Sequence, residues 1–490
     1  MNVRASLGQF ALALLFLCAL SSQALAQVAE PDPRSDDAFD VMNLLAGRGM
    51  HNLENERWNV YGQLTHISSL KLPFSAKYTN LNGSPNSLST GFEHSFTLTA
   101  TLYAGVRLWR GAQLYAVPEV ISMHPLSGLK GLGSTIQDFE LQKNGTPVPV
   151  VYLARAFLRQ TIELGGAALS QSSDPLQLGR RSTRRRIVLT AGNFSVIDVF
   201  DKNAFAGDLR RQFFNMAFMT YAAFDFAADA RGYAWGAAIE VVYDDWSLRA
   251  GRFTPPKQPN QKALDFRIHK YYGDQLELEH SHTLRAHGGT LRLFAFRNRE
   301  RMGRFSDALG ALAQDPSMNA TACVDVLDGY ASSNENAPDL CWVRRPNVKW
   351  GVGLNLEQDL GNDVGLFARA MYANGKTEVY SYTSTDRSIS MGVLAKGTAF
   401  GRPADLMGVG YSAGFISQAH ARYLSRGGID GFIGDGALRR GAEQVSEVFY
   451  SLSLLSSVWA SLDYQWIVHP AYNRDRGPVH IFGGRLHAEF

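Results

Sequence analysis

Three stretches of the chain carry side chains that could do chemistry. The first reads D-V-F-D-K-N-A-F-A-G-D-L-R-R from Asp198 to Arg211, so Asp198, Asp201, Lys202, Asn203, Asp208, Arg210 and Arg211 are interleaved with Phe200 and Phe205. Charged groups offer donors and acceptors to hydroxyls, and rings cover the apolar faces of sugars, so this mixture suits a wet constriction that contacts carbohydrate. The second, Gly410-Tyr411-Ser412-Ala413-Gly414, matches G-x-S-x-G, whose serine must sit on a sharp strand-to-helix turn. Val409, Tyr411, Ala413 and Phe415 alternate as in a strand and no helical pattern follows, so the match reads as chance. The third gathers His280, His282 and His287 near Glu277 and Glu279. Alternation sets His280 and His282 on one face and both glutamates on the other, so four metal ligands do not converge. No P-loop and no CxxC pair occurs, which leaves nucleotide and thiol redox chemistry without support. No catalytic group, metal or cofactor is expected.

The elements that must hold these residues are strands. From Phe96 to Leu108 the residues Phe96, Leu98, Ala100, Leu102, Ala104, Val106 and Leu108 share one parity, while Thr97, Thr99, Thr101, Tyr103 and Arg107 fill the other. Period two means one dry and one wet face. The pattern returns at Tyr233 to Tyr243, at Trp350 to Glu357 and at His480 to Phe490. In a soluble sandwich such strands average about five or six residues. These run about ten or more and often begin or end in Trp, Tyr or Phe, the length and edging that a tilted crossing of a bilayer requires.

Strand starts fall near residues 57, 95, 112, 150, 186, 233, 246, 274, 289, 348, 364, 388, 405, 445, 458 and 479. The expected fold is therefore all-β: a sixteen-stranded antiparallel transmembrane β-barrel. Short turns at 109–111, 244–245, 360–363, 401–404 and 456–457 then share one end. Two requirements follow. Residues 195–232 must form a single loop, despite the apolar run Phe213 to Phe226, and Gly165 to Arg185 is too long for the turn expected there. Arg107, Glu119, Arg155 and Arg159 lie on the wet parity and are expected at the pore, as are Glu240, Arg249, Glu357, Arg369, Arg485 and Glu489.

Composition supports export to a membrane. The 490 residues are 45% hydrophobic and 19% charged with a net charge of +3, too weak a positive balance to imply nucleic acid. Arg4, the apolar run Phe10 to Leu20 and Ala24-Leu25-Ala26 read as a cleaved signal peptide over residues 1–26. Residues 27–56 would be a periplasmic N-terminal segment and 57–490 the barrel. No later run of 18 apolar residues occurs, so no further helix is expected to span lipid. Cys323 and Cys341 could form one loop disulfide in an oxidising compartment; two unrelated free thiols are the alternative.

The run G-N-F-S-V-I-D-V-F-D-K-N (Gly192 to Asn203), A-D-A-R-G-Y (Ala228 to Tyr233) and the ending H-P-A-Y-N-R-D-R-G-P-V-H-I-F-G-G-R-L-H-A-E-F (His469 to Phe490) resemble the carbohydrate-selective porins, the OprB-like family of Gram-negative outer membranes. The resemblance spans roughly residue 50 to the end. It implies passive diffusion of mono- or small oligosaccharides into the periplasm without ATP or cofactor. In sixteen-stranded porins an inner loop folds inward as a constriction, and by that analogy residues 195–232 take the same role. Expected partners are sugars, outer-membrane lipid and lipopolysaccharide, and the barrel assembly machinery, whose uptake signal the terminal Phe490 resembles; a homo-oligomer is compatible with the class. The arginine run Arg180, Arg181, Arg184, Arg185 and Arg186 and the insertion 299–347 depart from the simplest pattern. The arginines read as a solvated turn or, alternatively, as a site for lipopolysaccharide phosphates or another anion. The competing readings are a general non-selective porin, an outer-membrane barrel enzyme acting on lipid, and a soluble exported β protein.

Overall fold

Alternating side chains leave one face of every strand apolar, and the chain solves this by closing a sheet on itself. The computed structural model describes residues 40–316 and 336–490. Sixteen strands follow in chain order: β1 Trp58–Lys71, β2 Glu93–Trp109, β3 Ala112–His124, β4 Val150–Gln171, β5 Arg180–Phe194, β6 Ala234–Tyr243, β7 Trp246–Phe253 and β8 Tyr272–Leu284 make one half. The other half is β9 His287–Met302, β10 Arg345–Gly361, β11 Val364–Ala373, β12 Arg387–Gly397, β13 Arg402–Phe415, β14 Glu443–Leu455, β15 Val458–Val468 and β16 Val479–Glu489. Each strand pairs antiparallel with the next, and β1 closes on β16 with Leu64 opposite Ala488.

The parity read from sequence is the parity of the wall. On β2, Leu98, Leu102, Val106 and Leu108 face outward and are exposed, whereas Thr97, Thr99 and Thr101 are buried inside. Exposed Trp58, Trp109, Tyr243, Trp246 and Phe490 mark the short-turn end, and Trp235, Trp350 and Tyr372 the other. These are the two aromatic girdles of a membrane barrel. Phe490 closes the seam. Its amide donates to the Gly62 carbonyl at 3.0 Å, it accepts from the Gly62 amide at 2.6 Å, and its ring occupies the space that a side chain on Gly62 would fill.

Most connections at the short-turn end are tight. Asn362 and Asp363, with φ of 53° and 61°, and Arg285 and Ala286, with φ of 52° and 70°, take the left-handed conformation at both central positions of their two-residue hairpins. The length expected to misfit at 165–185 is resolved by longer strands. Residues 162–171 of β4 pair with 180–187 of β5 beyond the point where β3 ends, so the loop proper is only 172–179. The whole arginine run belongs to this projecting hairpin. It therefore lies at the short-turn end, which in outer-membrane barrels is periplasmic. Lipopolysaccharide, an alternative ligand for the run, belongs to the opposite leaflet. At the short-turn end Arg184 and Arg185 pair with Asp245 and Asp244.

The N-terminal segment returns to the barrel. Helix α1, Val41–Gly47, is capped by Asp40, whose carboxylate accepts from the Asn43 amide at 2.7 Å. It buries Met42 in a cluster with Tyr61, Tyr103 and Val117. The signal-peptide residues lie outside the described residues.

At the far end, helices α2 (Phe305–Gln314) and α3 (Gln418–Ser425) pack on one another in a second core with Ile433 and Tyr472. Cys341 in this region is disulfide-bonded; Cys323 lies outside the described residues. His420 of α3 is buried between Asp386 at 3.1 Å and Asp430 at 3.2 Å and stacks on Phe305 at 4.3 Å. Burial alone would lower the imidazole pKa, but the two carboxylates more than offset it and raise it to about 9. A base whose pKa is raised on folding stabilises fully below its unfolded value of about 6.5 and loses that stabilisation as pH rises through its folded value. The cap should therefore loosen between pH 6.5 and 9, by about 3 kcal/mol at the alkaline limit. Limited proteolysis of α2 and α3 in detergent should accelerate over that window in the native protein, and the acceleration should vanish in His420→Gln.

Candidate functional site

Residues 195–233 connect β5 to β6 and cross the barrel interior. Their path is fixed by carboxylates of the wall that accept from loop backbone amides. Glu277 of β8 accepts from Asp201 at 2.8 Å, and Glu357 of β10 from Ala204 at 2.6 Å. Glu447 of β14 accepts from Phe214 at 2.5 Å and Asn215 at 3.1 Å. Arg485 of β16 donates to the carbonyls of Leu209 and Gln212 at 2.8 and 2.9 Å. A loop inside a barrel has few backbone partners of its own, so these side chains supply what a strand neighbour would.

Glycines on the inner wall complete the fit. A side chain on Gly365 would overlap the Phe205 ring, one on Gly251 would meet Phe200, one on Gly353 Tyr221, and one on Gly410 both Phe213 and Phe218. Each of these aromatics is seated where the wall has no Cβ. The structure thus corrects the reading of Phe200 as a sugar-stacking ring, since Phe200 is fully buried; Phe205 is partly buried and packs against the same core. The apolar run Phe213 to Phe226 is explained likewise, as a loop that carries a hydrophobic core into the lumen.

The charged residues of the loop divide into two groups. Asp201 accepts from Thr220 at 2.6 Å, from Asn355 at 2.5 Å and from Arg369 at 3.1 Å, and it is buried. Asn203 donates to Asn355 at 2.7 Å and accepts from the amides of Phe205 and Ala206. Exposed Asp208 accepts from the Arg210 amide at 2.9 Å. Arg211 stacks on Trp459 at 3.6 Å and lies 3.6 Å from Glu489. Asp201 and Asn203 are therefore anchors that hold the loop.

The other group meets the wall in a cluster of charge and aromatic rings. Arg155 of β4 grips Asp198 through two bonds of 2.7 and 2.8 Å, and its guanidinium lies 5.1 Å from the Tyr233 ring centre. Burial disfavours charge on Asp198, but Arg155 overrides it and holds the carboxyl below its ordinary range. Glu119 of β3 accepts from Lys143 at 2.9 Å, Thr101 at 2.8 Å, Arg210 at 3.3 Å and the Tyr152 hydroxyl. Arg210 also reaches Glu140 at 3.1 Å and the Tyr103 hydroxyl at 3.2 Å. The Lys202 carbonyl accepts from Asn355 at 3.1 Å, while the Lys202 ammonium is exposed to the interior solvent with no hydrogen-bond partner among the described residues. Enclosure by protein lowers its pKa despite the attraction of Asp198. Arg159 donates to the Leu176 carbonyl at 2.6 Å and lies over Tyr115 and Phe157. Arg107 is not brought to this cluster; it donates to Asn55 at 2.7 Å at the periplasmic rim.

Sequence reading missed Lys143, Glu140, Tyr152, Arg231 and Tyr233 as members of this group. Lys143 and Glu140 sit in the loop after β3, where no periodicity indicates direction. Tyr152 was hidden by a bulge: the register of β3 against β4 shifts between Val117 and Pro118, so Tyr152 and Arg155, of opposite parity, both reach the inside. Arg231 stacks on Tyr152 at 4.1 Å. The arrangement presents donors, acceptors and aromatic edges side by side, which is what polyhydroxylated solutes require.

Two patterns with enzymatic overtones have plain structural places. Ser412 lies within β13, not on a strand-to-helix turn, and its hydroxyl donates to the Ile389 carbonyl at 3.2 Å. His280 stacks on Trp246 at 4.2 Å, whereas Glu277 and Glu279 bind Arg249 at 2.8 and 2.9 Å.

No curated protein sequence matches the chain. Among solved structures, OprB of Pseudomonas putida superposes with a TM-score of 0.64 at 13% identity, covering 91% of this chain and 97% of that one. The channel DcaP of Acinetobacter baumannii follows at 0.47 and 9%, covering 88% and 97%, and a loop L8 deletion mutant of Vibrio cholerae OmpT at 0.43 and 10%, covering 89% and 100%. At such identities the likeness concerns the fold. The family profile described as carbohydrate-selective porin, OprB family, matches residues 86–490. With a closed sixteen-stranded barrel and that match over most of its length, the chain belongs to the OprB family of carbohydrate-selective porins of the Gram-negative outer membrane.

Proposed function

We propose that this passive, non-enzymatic channel selects neutral mono- and small oligosaccharides where residues 195–233 narrow the lumen, at the cluster built by Arg155, Asp198, Lys202, Arg210, Glu119 and Tyr233. The observation that supports this reading is the placement of Arg155 on Tyr233, with Asp198 as its partner and Lys202 unpaired beside them. A hydrated sugar exchanges water for such groups at little net cost, because each hydroxyl is offered a donor or an acceptor. A general non-selective porin would need only the hole.

Replacing Arg155 removes the ion pair and the contact over Tyr233 together. Arg155→Ala should weaken sugar block of the ion current in a planar bilayer by roughly tenfold, the effect of about 1.4 kcal/mol. The open-channel current without sugar should change far less than the block. Equal block in the native and variant channels would remove the cluster from the reading.

The remaining assignments extend it. Residues 1–26 serve as an export signal, 27–56 as the periplasmic lead into β1, and the exposed girdles contact outer-membrane lipid. The carboxy-terminal Phe490, on the outward parity of β16, is the element that the barrel assembly machinery takes up.

A further inference from the structure

We propose that the periplasmic rim carries a binding site for an anionic phospholipid of the inner leaflet, in a cavity of about 1330 Å³ under the arginine hairpin. The cavity follows from the uneven rim. β3 begins only at Ala112, opposite Gln160, whereas β4 and β5 run on together as far as Gln171 and Arg180. Across the gap, the segment before β1 meets the hairpin: the Glu56 amide donates to the Gly179 carbonyl at 2.9 Å, and the Gly179 amide donates back to the Glu56 carboxylate at 2.7 Å. The two form an arch above the tight turn between β2 and β3. Glu56 is buried, bound also by Ser173 at 2.7 Å and His51 at 3.0 Å, and a side chain on Gly179 would strike the Leu53 carbonyl. The arch is thus fixed by its own contacts.

The lining is divided as a lipid is. Trp58, Leu108, Trp109 and Ile162 are outward-facing and exposed, continuous with the periplasmic girdle. Trp109 is oriented by its indole N–H, which donates to Gln160 at 2.9 Å. The polar part holds Arg57, Arg107, Arg110, Arg180 and Arg181 against only two carboxylates, Glu54 and Glu163. Glu163 is already engaged by Arg180, Ser182 and Thr183, and Glu54 lies 3.9 Å from Arg181 with both side chains largely exposed. The guanidinium groups of Arg57 and Arg110 have no hydrogen-bond or ion-pair partner among the described residues. Guanidinium groups match phosphate oxygens in paired hydrogen bonds, and basic pockets beside apolar girdles suit anionic head groups at the membrane surface. The volume exceeds that of common small-ligand pockets, so a head group and the first acyl carbons both fit. This inference stands independently of how sugars are selected.

Two measurements test it. Native mass spectrometry of the full-length protein, extracted from mixed bilayers of phosphatidylglycerol and phosphatidylcholine, should retain phosphatidylglycerol several-fold in excess of its share. In vesicles, phosphatidylglycerol brominated on its acyl chains should quench tryptophan fluorescence more than brominated phosphatidylcholine, through Trp58 and Trp109. Arg57→Gln combined with Arg110→Gln should abolish both preferences. Equal retention of the two lipids by the native protein would overturn the proposal without recourse to any variant. So would displacement of bound phosphatidylglycerol by inorganic phosphate alone, which would identify a soluble anion, or a stronger preference for lipopolysaccharide.

Discussion

Replacing residues 198–211 by a short Gly-Ser linker should raise single-channel conductance several-fold and abolish sugar block. The segment contributes Asp198, Lys202 and Arg210 to the cluster and seats Phe200 and Phe205 on wall glycines. Its removal therefore empties a volume that the wall strands do not refill. The sixteen strand pairings do not include these residues, so barrel closure is retained. The wall groups it leaves, Arg155, Glu119 and Glu277, would turn to water instead. Conductance and block recorded on the same channels in a planar bilayer separate the two effects, and an unchanged conductance would show that this segment does not narrow the path.

The largest loss of stability should come from Asp225, near the end of the same loop. Its carboxylate accepts from Lys349 at 3.0 Å and from the amides of Tyr380 at 2.9 Å and Ser381 at 2.8 Å. One buried group thereby ties the loop after β5 to the wall at β10 and to the connection between β11 and β12. Both charged side chains are 1% exposed. Asp225→Ala leaves the ammonium of Lys349 buried without its counter-charge, a defect that costs about 3–5 kcal/mol. Denaturant titration in detergent, followed by the shift in electrophoretic mobility of the folded barrel, should show a loss of this order. The double variant Asp225→Ala, Lys349→Met should recover a large part of it. A single variant within about 0.5 kcal/mol of the native protein would mean that the hub is not coupled to barrel stability.

The wall was legible because it obeys period two. Apart from β5, which begins six residues earlier, every strand start from β1 to β16 lies within about three residues of the position that alternation and turn residues indicate, and the outward set on β2 is the set that the sequence separates. Where local chemistry is atypical, legibility fails. The hairpin at Arg285 and Ala286 adopts left-handed conformations without Gly, Asn or Asp, so nothing in its residue types marks a turn. The hairpin beyond Gly165 lacks apolar-polar alternation, with Gly165-Gly166-Ala167-Ala168 on one arm and the arginine run on the other, and only pairing shows that its strands continue past the rim.

The site was legible in part for a related reason. Asp198, Arg155 and Arg210 meet because a loop and a strand of suitable composition face one another, and composition alone pointed to both. Composition does not distinguish a side chain that faces solute from one that holds the loop. Asp201 and Lys202 are neighbours in sequence, yet one is buried on Arg369 and the other projects into solvent. The glycines beneath Phe205 and Phe213 are likewise silent in one dimension, since their role appears only when the loop lies against the wall. The bulge in β4 inverted the parity of Tyr152 and concealed it.

The most direct measurement is the swelling of vesicles that carry the purified protein in isotonic solutions of neutral sugars and of zwitterionic solutes of matching mass. Selection at the constriction requires monosaccharides to enter faster than the size-matched zwitterions, with rates falling steeply as the saccharide lengthens. Rates that follow mass alone, identical for sugar and zwitterion, would contradict it.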